Sequence, residues 1–102
     1  MVITILDGEV TENNWQALKD AYTKETVNMP DGIHQTFLIQ SQGQPTKWRI
    51  MTHWRSQADL DHMRQTEETP PAVRVFQAAE AKPSLGVWKV ETHRVNKNSS
   101  IF

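Results

Sequence analysis

Four histidines, at positions 34, 53, 62 and 93, are the side chains best suited to move a proton near neutral pH, because imidazole titrates near pH ~6.5. His53 and His34 fall in segments patterned as strands and would share one sheet face, where a partner could enclose them. His62 falls in a helical segment and could tip into a pocket beneath it. Each is a candidate base, and each also fits a plain structural place, half-buried in a sheet for the first two and exposed on a helix for His62. His93, near the chain end, has no expected role. Trp54 and Trp48 could wall a pocket for a planar substrate by ring stacking, with Phe37, Leu60 and Met63 as apolar lining. Packing between sheet and helices would account for the same residues. Asp7, where the first strand ends, could accept a proton if it were buried.

Much chemistry is excluded. Without cysteine there is no disulfide, no thiolate nucleophile and no thiolate metal site. The histidine spacing contains no His-Glu-x-x-His helix and no close pair of ligands, so no metal is expected. The four glycines are dispersed and form no phosphate-cradling loop, so no dinucleotide cofactor is expected either. A formal net charge of −1 and a pI of about 6.4, with both signs scattered, argue against a nucleic-acid or membrane partner. Met1-Val2-Ile3-Thr4-Ile5-Leu6 reaches Asp7 without a basic leader, and no apolar stretch approaches membrane-spanning length; the expected location is the cytoplasm. Asn98-Ser99-Ser100 matches a glycosylation acceptor by chance in that setting.

The candidate residues need a scaffold. Val2 to Val10 is rich in β-branched residues and predicts a strand. Thr11 offers a hydroxyl N-cap to a helix running to about Glu25, with Trp15, Leu18, Ala21 and Tyr22 at helical steps. Met29-Pro30-Asp31-Gly32 stops it. Ile33 to Gln42 and Lys47 to Arg55 predict a hairpin around Gly43-Gln44-Pro45-Thr46. Closing that loop with Gln42 opposite Lys47 sets Phe37 across from Thr52 and Ile39 across from Ile50, under the helices with Trp48 and Trp54. His34, Thr36, Leu38, Met51 and His53 would then face the other way. Ser56 and Asp59 form a capping-box variant before a helix through Leu60 and Met63. Thr69-Pro70-Pro71 breaks and restarts that helix, and Leu85 to Val95 predicts the last strand.

The order β-α-β-β-α-β, the second helix broken, gives an α+β ferredoxin-like sandwich with one antiparallel sheet. It spans residues 1–95, and 96–102 form a polar C-terminal tail. A hydrophobic fraction of 37% and a mean hydropathy of −0.62 are low for a small domain standing alone. The sheet face left bare by the helices therefore calls for a second copy, and a homodimer is expected.

The run from Trp48 to Leu60, Trp-Arg-Ile-Met-Thr-His-Trp-Arg-Ser-Gln-Ala-Asp-Leu, resembles antibiotic-biosynthesis-monooxygenase-type domains of the dimeric α+β barrel superfamily. Phe76-Gln77-Ala78-Ala79 and the stretch from Val27 to Gly32 share the likeness, which covers Val2 to Val90. The resemblance implies a dimeric α+β barrel and cofactor-independent oxygenation of a small aromatic, quinol-type substrate by O2. It matches the family's pocket tryptophan to Trp54, whereas the pocket asparagine and tyrosine of anthrone-oxidising members fall at Ile50 and about Leu60. Positions used by haem-degrading members fall at about Asp7 or Gly8, Met63 and Glu80, which disfavours haem degradation. A non-catalytic ligand-binding or stress-associated dimer is the competing expectation. RNA binding ranks last, because Lys47-Trp48-Arg49-Ile50-Met51-Thr52 lacks the glycine and aromatic alternation of that module.

Overall fold

Alternation drives the first element. In β1 (Val2–Glu9), Val2, Thr4 and Leu6 are buried on one side while Ile3 and Ile5 stay half-buried on the other. A 3₁₀ turn at Glu12–Asn14 leads into α1 (Trp15–Thr26), followed by β2 (Ile33–Gln40), β3 (Lys47–Trp54), α2 (Gln57–Thr66), α3 (Pro71–Ala78) and β4 (Ser84–Lys89). These are the features of a computed structural model that describes residues 1–97. The expected tail lies outside the described residues from position 98 onward, as does the Asn98-Ser99-Ser100 triplet. The sheet has the order β2-β3-β1-β4 with every neighbouring pair antiparallel, which is the expected ferredoxin-like arrangement. The last strand is shorter than expected, ending at Lys89, after which Val90 donates to the carbonyl of Met1. No helix among the described residues is long and apolar enough to cross a membrane.

The helices cover one sheet face. One core cluster joins Leu6, Trp48 and Ile50 of the sheet to Leu18, Val75 and Phe76 of the helices. A second joins Val2 and Trp54 to Leu60 and Met63, with Ile33 packed against it. Phe76 lies flat enough on β1 that a methyl group at Gly8 would come within 2.7 Å of its ring.

The hairpin register differs from the expected one by a single residue. Phe37 lies opposite Met51, Thr36 opposite Thr52 and Leu38 opposite Ile50. The loop closes through the Ser41 amide to the Lys47 carbonyl at 2.9 Å, not through Gln42. Because strand side chains alternate, this slip exchanges the faces of β2: Thr36 and Leu38 point under the helices, and Phe37 and Ile39 point to the open face. Leu38 thereby packs against the core, and Ile39 is 43% exposed. A bulge between Ile33 and Gln35 then restores Ile33 to the helical side, opposite Trp54, with His34 as the extra residue.

Two caps were expected and one forms in part, because the Asp59 carboxylate takes the Ser56 hydroxyl and not the backbone amide of a reciprocal capping box. The Asp59 amide donates to Ser56 Oγ at 3.1 Å, and the Ser56 hydroxyl donates to Asp59 Oδ2 at 2.9 Å. The Thr11 hydroxyl donates to Asn13 Oδ1 instead of capping a helix amide, since a 3₁₀ turn intervenes and the Thr11 carbonyl takes the Asn14 amide.

Candidate functional site

Between the helices and the sheet lies an apolar cavity that opens to solvent. Its floor contains one rung of the sheet. Thr36 on β2, Thr52 on β3 and Thr4 on β1 stand side by side in register on the helix-facing side. The rungs before and after it are largely apolar, with Ile33, Trp54 and Val2 on one side and Leu38, Ile50 and Leu6 on the other. Thr4 is 6% exposed and Thr52 5%. Trp54 walls the cavity and donates its indole N–H to Thr4 Oγ1 at 3.1 Å. The hydroxyls of Thr36 and Thr52 lie 3.1 Å apart and share one hydrogen bond. Leu60 and Met63 of α2 and Val75 of α3 close the opposite side.

Charged groups are confined to the helical lining. Glu25 of α1 accepts from Arg74 of α3 at 3.0 Å (Nε) and 2.8 Å (Nη2). Arg74 Nη1 also donates to the Thr69 carbonyl at 2.7 Å and to Glu67 at 3.3 Å, tying α1 and α3 to the link between α2 and α3. The hydrogen-bonded guanidinium holds the Glu25 carboxyl below its ordinary range, against the smaller opposing effect of burial. A carboxylate stabilised in this way is a weak base. Among the described residues no histidine lines this cavity.

The histidines lie elsewhere. His53, next in sequence to Thr52, points to the open face of β3, where its Nδ1 is 3.1 Å from Gln35 Nε2 and its ring meets Phe37 edge-on at 6.3 Å. Burial lowers its pKa, and the charges of His34 and His93 push the same way. His34 is exposed at the bulge. Farther along the same face Asp7 and Arg49 pair at 2.6 Å, so Asp7 is an exposed ion-pair partner and not a buried acceptor. No group of three histidine, aspartate or glutamate side chains among the described residues is arranged to hold a metal ion.

The structure thus brings together Trp54, Leu60 and Met63 of the expected lining. Trp48 packs in the core at the other end of the sheet, its ring 5.9 Å from that of Trp15 and its buried N–H without an acceptor among the described residues. Phe37 is on the open face because of the register slip. His62 is exposed on α2. The threonine rung is not legible in the sequence alone. Thr52 and Trp54 share the i, i+2 spacing of one strand face, but the membership of Thr36 depends on a register that the loop alone does not dictate.

Comparison with known proteins agrees with this architecture. No curated protein matches the sequence. Among solved structures, a Deinococcus radiodurans protein described as an antibiotic biosynthesis monooxygenase superposes with a TM-score of 0.70 at 14% identity, covering 97% of this chain and 100% of that one. SnoaB, a cofactor-independent oxygenase from Streptomyces nogalater, gives 0.65 at 11% identity over 96% and 97% of the two chains. A variant of MhuD with two manganese protoporphyrin IX molecules per active site gives 0.71 at 16% identity over 94% and 100%. At these identities the likeness is one of fold. The sequence itself matches the family model described as antibiotic biosynthesis monooxygenase over residues 1–79, most of the chain, and the protein belongs to that family.

Proposed function

We propose that the cavity beneath the helices binds a small planar aromatic molecule of the quinol or phenol type, and that the protein oxygenates it with O2 without a metal or bound coenzyme. The observation that carries this reading is an apolar cavity walled by the buried, hydrogen-bonded indole of Trp54 and floored by hydroxyls. An aromatic ring gains from stacking and desolvation there, while its oxygen finds polar partners. Loss of the substrate proton gives an electron-rich anion that passes one electron to O2. Recombination of the pair forms a carbon–oxygen bond, and the resulting hydroperoxide loses water, so one oxygen atom enters the product and the other leaves as water. Family membership and the likeness to a cofactor-independent oxygenase support the reaction class. Haem is disfavoured, because no imidazole among the described residues faces the cavity to ligate iron.

A second copy of the chain completes the molecule in this reading. The open face presents Ile3, Ile5, Phe37, Ile39 and Met51, with Trp88 60% exposed at its edge. Covering these groups removes apolar area from water, and the stabilisation grows with that area. His53 and His34 belong to this face, so a role for them as bases requires a site between the two copies.

The test is oxygen uptake by purified protein across a panel of benzo- and naphthohydroquinones. Uptake above the buffer rate that falls in Trp54→Ala is expected. Binding of the same compounds with no uptake would overturn the oxygenase reading in favour of a non-catalytic binding dimer, which the absence of a histidine from the cavity lining favours.

A further inference from the structure

We infer that the rung Thr4–Thr52–Thr36 is an oxygen-recognition element, taking a carbonyl or phenolate oxygen of the ligand between two hydroxyl donors. The inference rests on the cavity reading above and adds to it the group that the site selects. Proton bookkeeping leads to it. The rung and Trp54 together carry four donors: three O–H groups and one indole N–H. The indole N–H is used on Thr4, and one hydroxyl of the Thr36–Thr52 pair is used on the other. Thr4 accepts in its bond and keeps its own O–H, and the pair keeps a second. Among the described residues no acceptor takes either of these two O–H groups.

Their placement suits one oxygen atom. Either threonine of the pair can be the donor. With Thr36 donating to Thr52, the spare O–H groups are those of Thr4 and Thr52 on adjacent strands about 4.8 Å apart, so an oxygen between them can sit within hydrogen-bond reach of both, about 2.7 Å from each. A carbonyl or phenolate oxygen has lone pairs for two donors. The rungs on either side show what the fold alone would use, since Ile33, Val2, Leu38, Ile50 and Leu6 occupy them. Valine has almost the shape of threonine and suits a strand better in an apolar layer, whereas a buried hydroxyl carries a desolvation cost unless it is bonded. Donors fixed in a dry site also favour an anion over its neutral form, which is the direction that oxygenation of a quinol requires.

The experiment compares 1-indanone with indane, ligands of nearly equal size that differ by one carbonyl, by calorimetric titration of the full chain. Thr36→Val/Thr52→Val removes both partners of one hydrogen bond and keeps their shape, a change that leaves folding nearly untouched. It is expected to weaken 1-indanone about fivefold to tenfold, one net hydrogen bond, and to leave indane unchanged. Thr36→Ser/Thr52→Ser, which keeps both hydroxyls, is expected to retain the wild-type preference. Equal 1-indanone affinity in the valine variant and wild type overturns the inference while leaving the cavity reading standing. Failure of wild type to bind either compound overturns both.

Discussion

Trp54 and Thr4, 50 positions apart in the sequence, are joined by a buried hydrogen bond in which the indole N–H donates to the threonine hydroxyl at 3.1 Å. The bond crosses from β3 to β1 and runs diagonally to the register, in which Trp54 faces Val2 and Thr4 faces Thr52. It fixes the plane of the cavity wall. Thr4→Val keeps the volume but leaves the indole N–H buried without an acceptor, and a loss of about 1–3 kcal/mol is expected in urea unfolding. Adding Trp54→Phe removes the stranded donor as well, so the double variant should cost less than the two single losses summed.

Backbone constraints give a sharper contrast. Gly32 has a φ of +92°, and a methyl group there would lie 2.5 Å from Asp59 Cβ, the residue that receives the Ser56 cap. Gly43, in the β2–β3 loop, has open space around it. Gly32→Ala is expected to lower stability by more than about 1 kcal/mol, from both the left-handed backbone and the collision. Gly43→Ala should stay within about 0.5 kcal/mol of wild type. Denaturant midpoints measured on the two variants check both outcomes.

Why the sequence reveals some of this and not the rest is visible in particular residues. The element order is written in β-branched runs and proline or glycine stops, and it emerges as expected. Trp54, Leu60 and Met63 lie at positions whose face follows from local spacing, two residues along a strand from Thr52 or three along a helix from each other, and all three reach the cavity. Phe37 and Trp48 do not. The face of Phe37 is set by how Ser41 and Lys47 close the hairpin and by the bulge at His34, a choice decided by burying Leu38 in the core. Trp48 is on the expected face but at the other end, and position along a strand relative to a cavity depends on where helices from distant sequence come to rest. The separation of the histidines from the cavity is of the first kind: His53 must oppose Thr52 and Trp54 in any strand.

The cluster around Arg74 makes an acid-sensitive clamp. Because the Arg74 hydrogen bonds lower the Glu25 pKa in the folded chain, the unfolded chain binds its proton first as pH falls. The contribution is therefore complete above the ordinary carboxyl value of 4.5 and is lost as pH drops through the lower folded value. Both side chains are partly exposed, so the effect is modest, at most about 1 kcal/mol. Arg74→Gln should flatten the decline in stability below about pH 4.5 relative to wild type. Thermal unfolding between about pH 3 and pH 6 measures it, and an unchanged acid limb would show that the pair contributes nothing.

The open face should respond to pH in a different window. His53 is held below its ordinary pKa of 6.5 by burial and by the proximity of His34 and His93. An imidazole lowered in this way takes its proton more readily when the chain unfolds, so stability is full above about pH 6.5 and falls below it. Gln35, Phe37 and its cross-strand partner Ile3 also lie beside it, none of them ionisable, and Asp7 and Arg49 neutralise each other farther along the sheet. Among the described residues no acidic side chain pairs with His53 to offset a charged imidazole. If a second copy covers this face, burial of His53 deepens and its protonation opposes association as well as folding. The dimer is therefore expected to dissociate several-fold more readily at about pH 5.5 than at about pH 7.5, as measured by sedimentation, and His53→Gln should remove most of that difference. A wild-type dimer equally tight at both values would place the contact on a surface other than the His53 face.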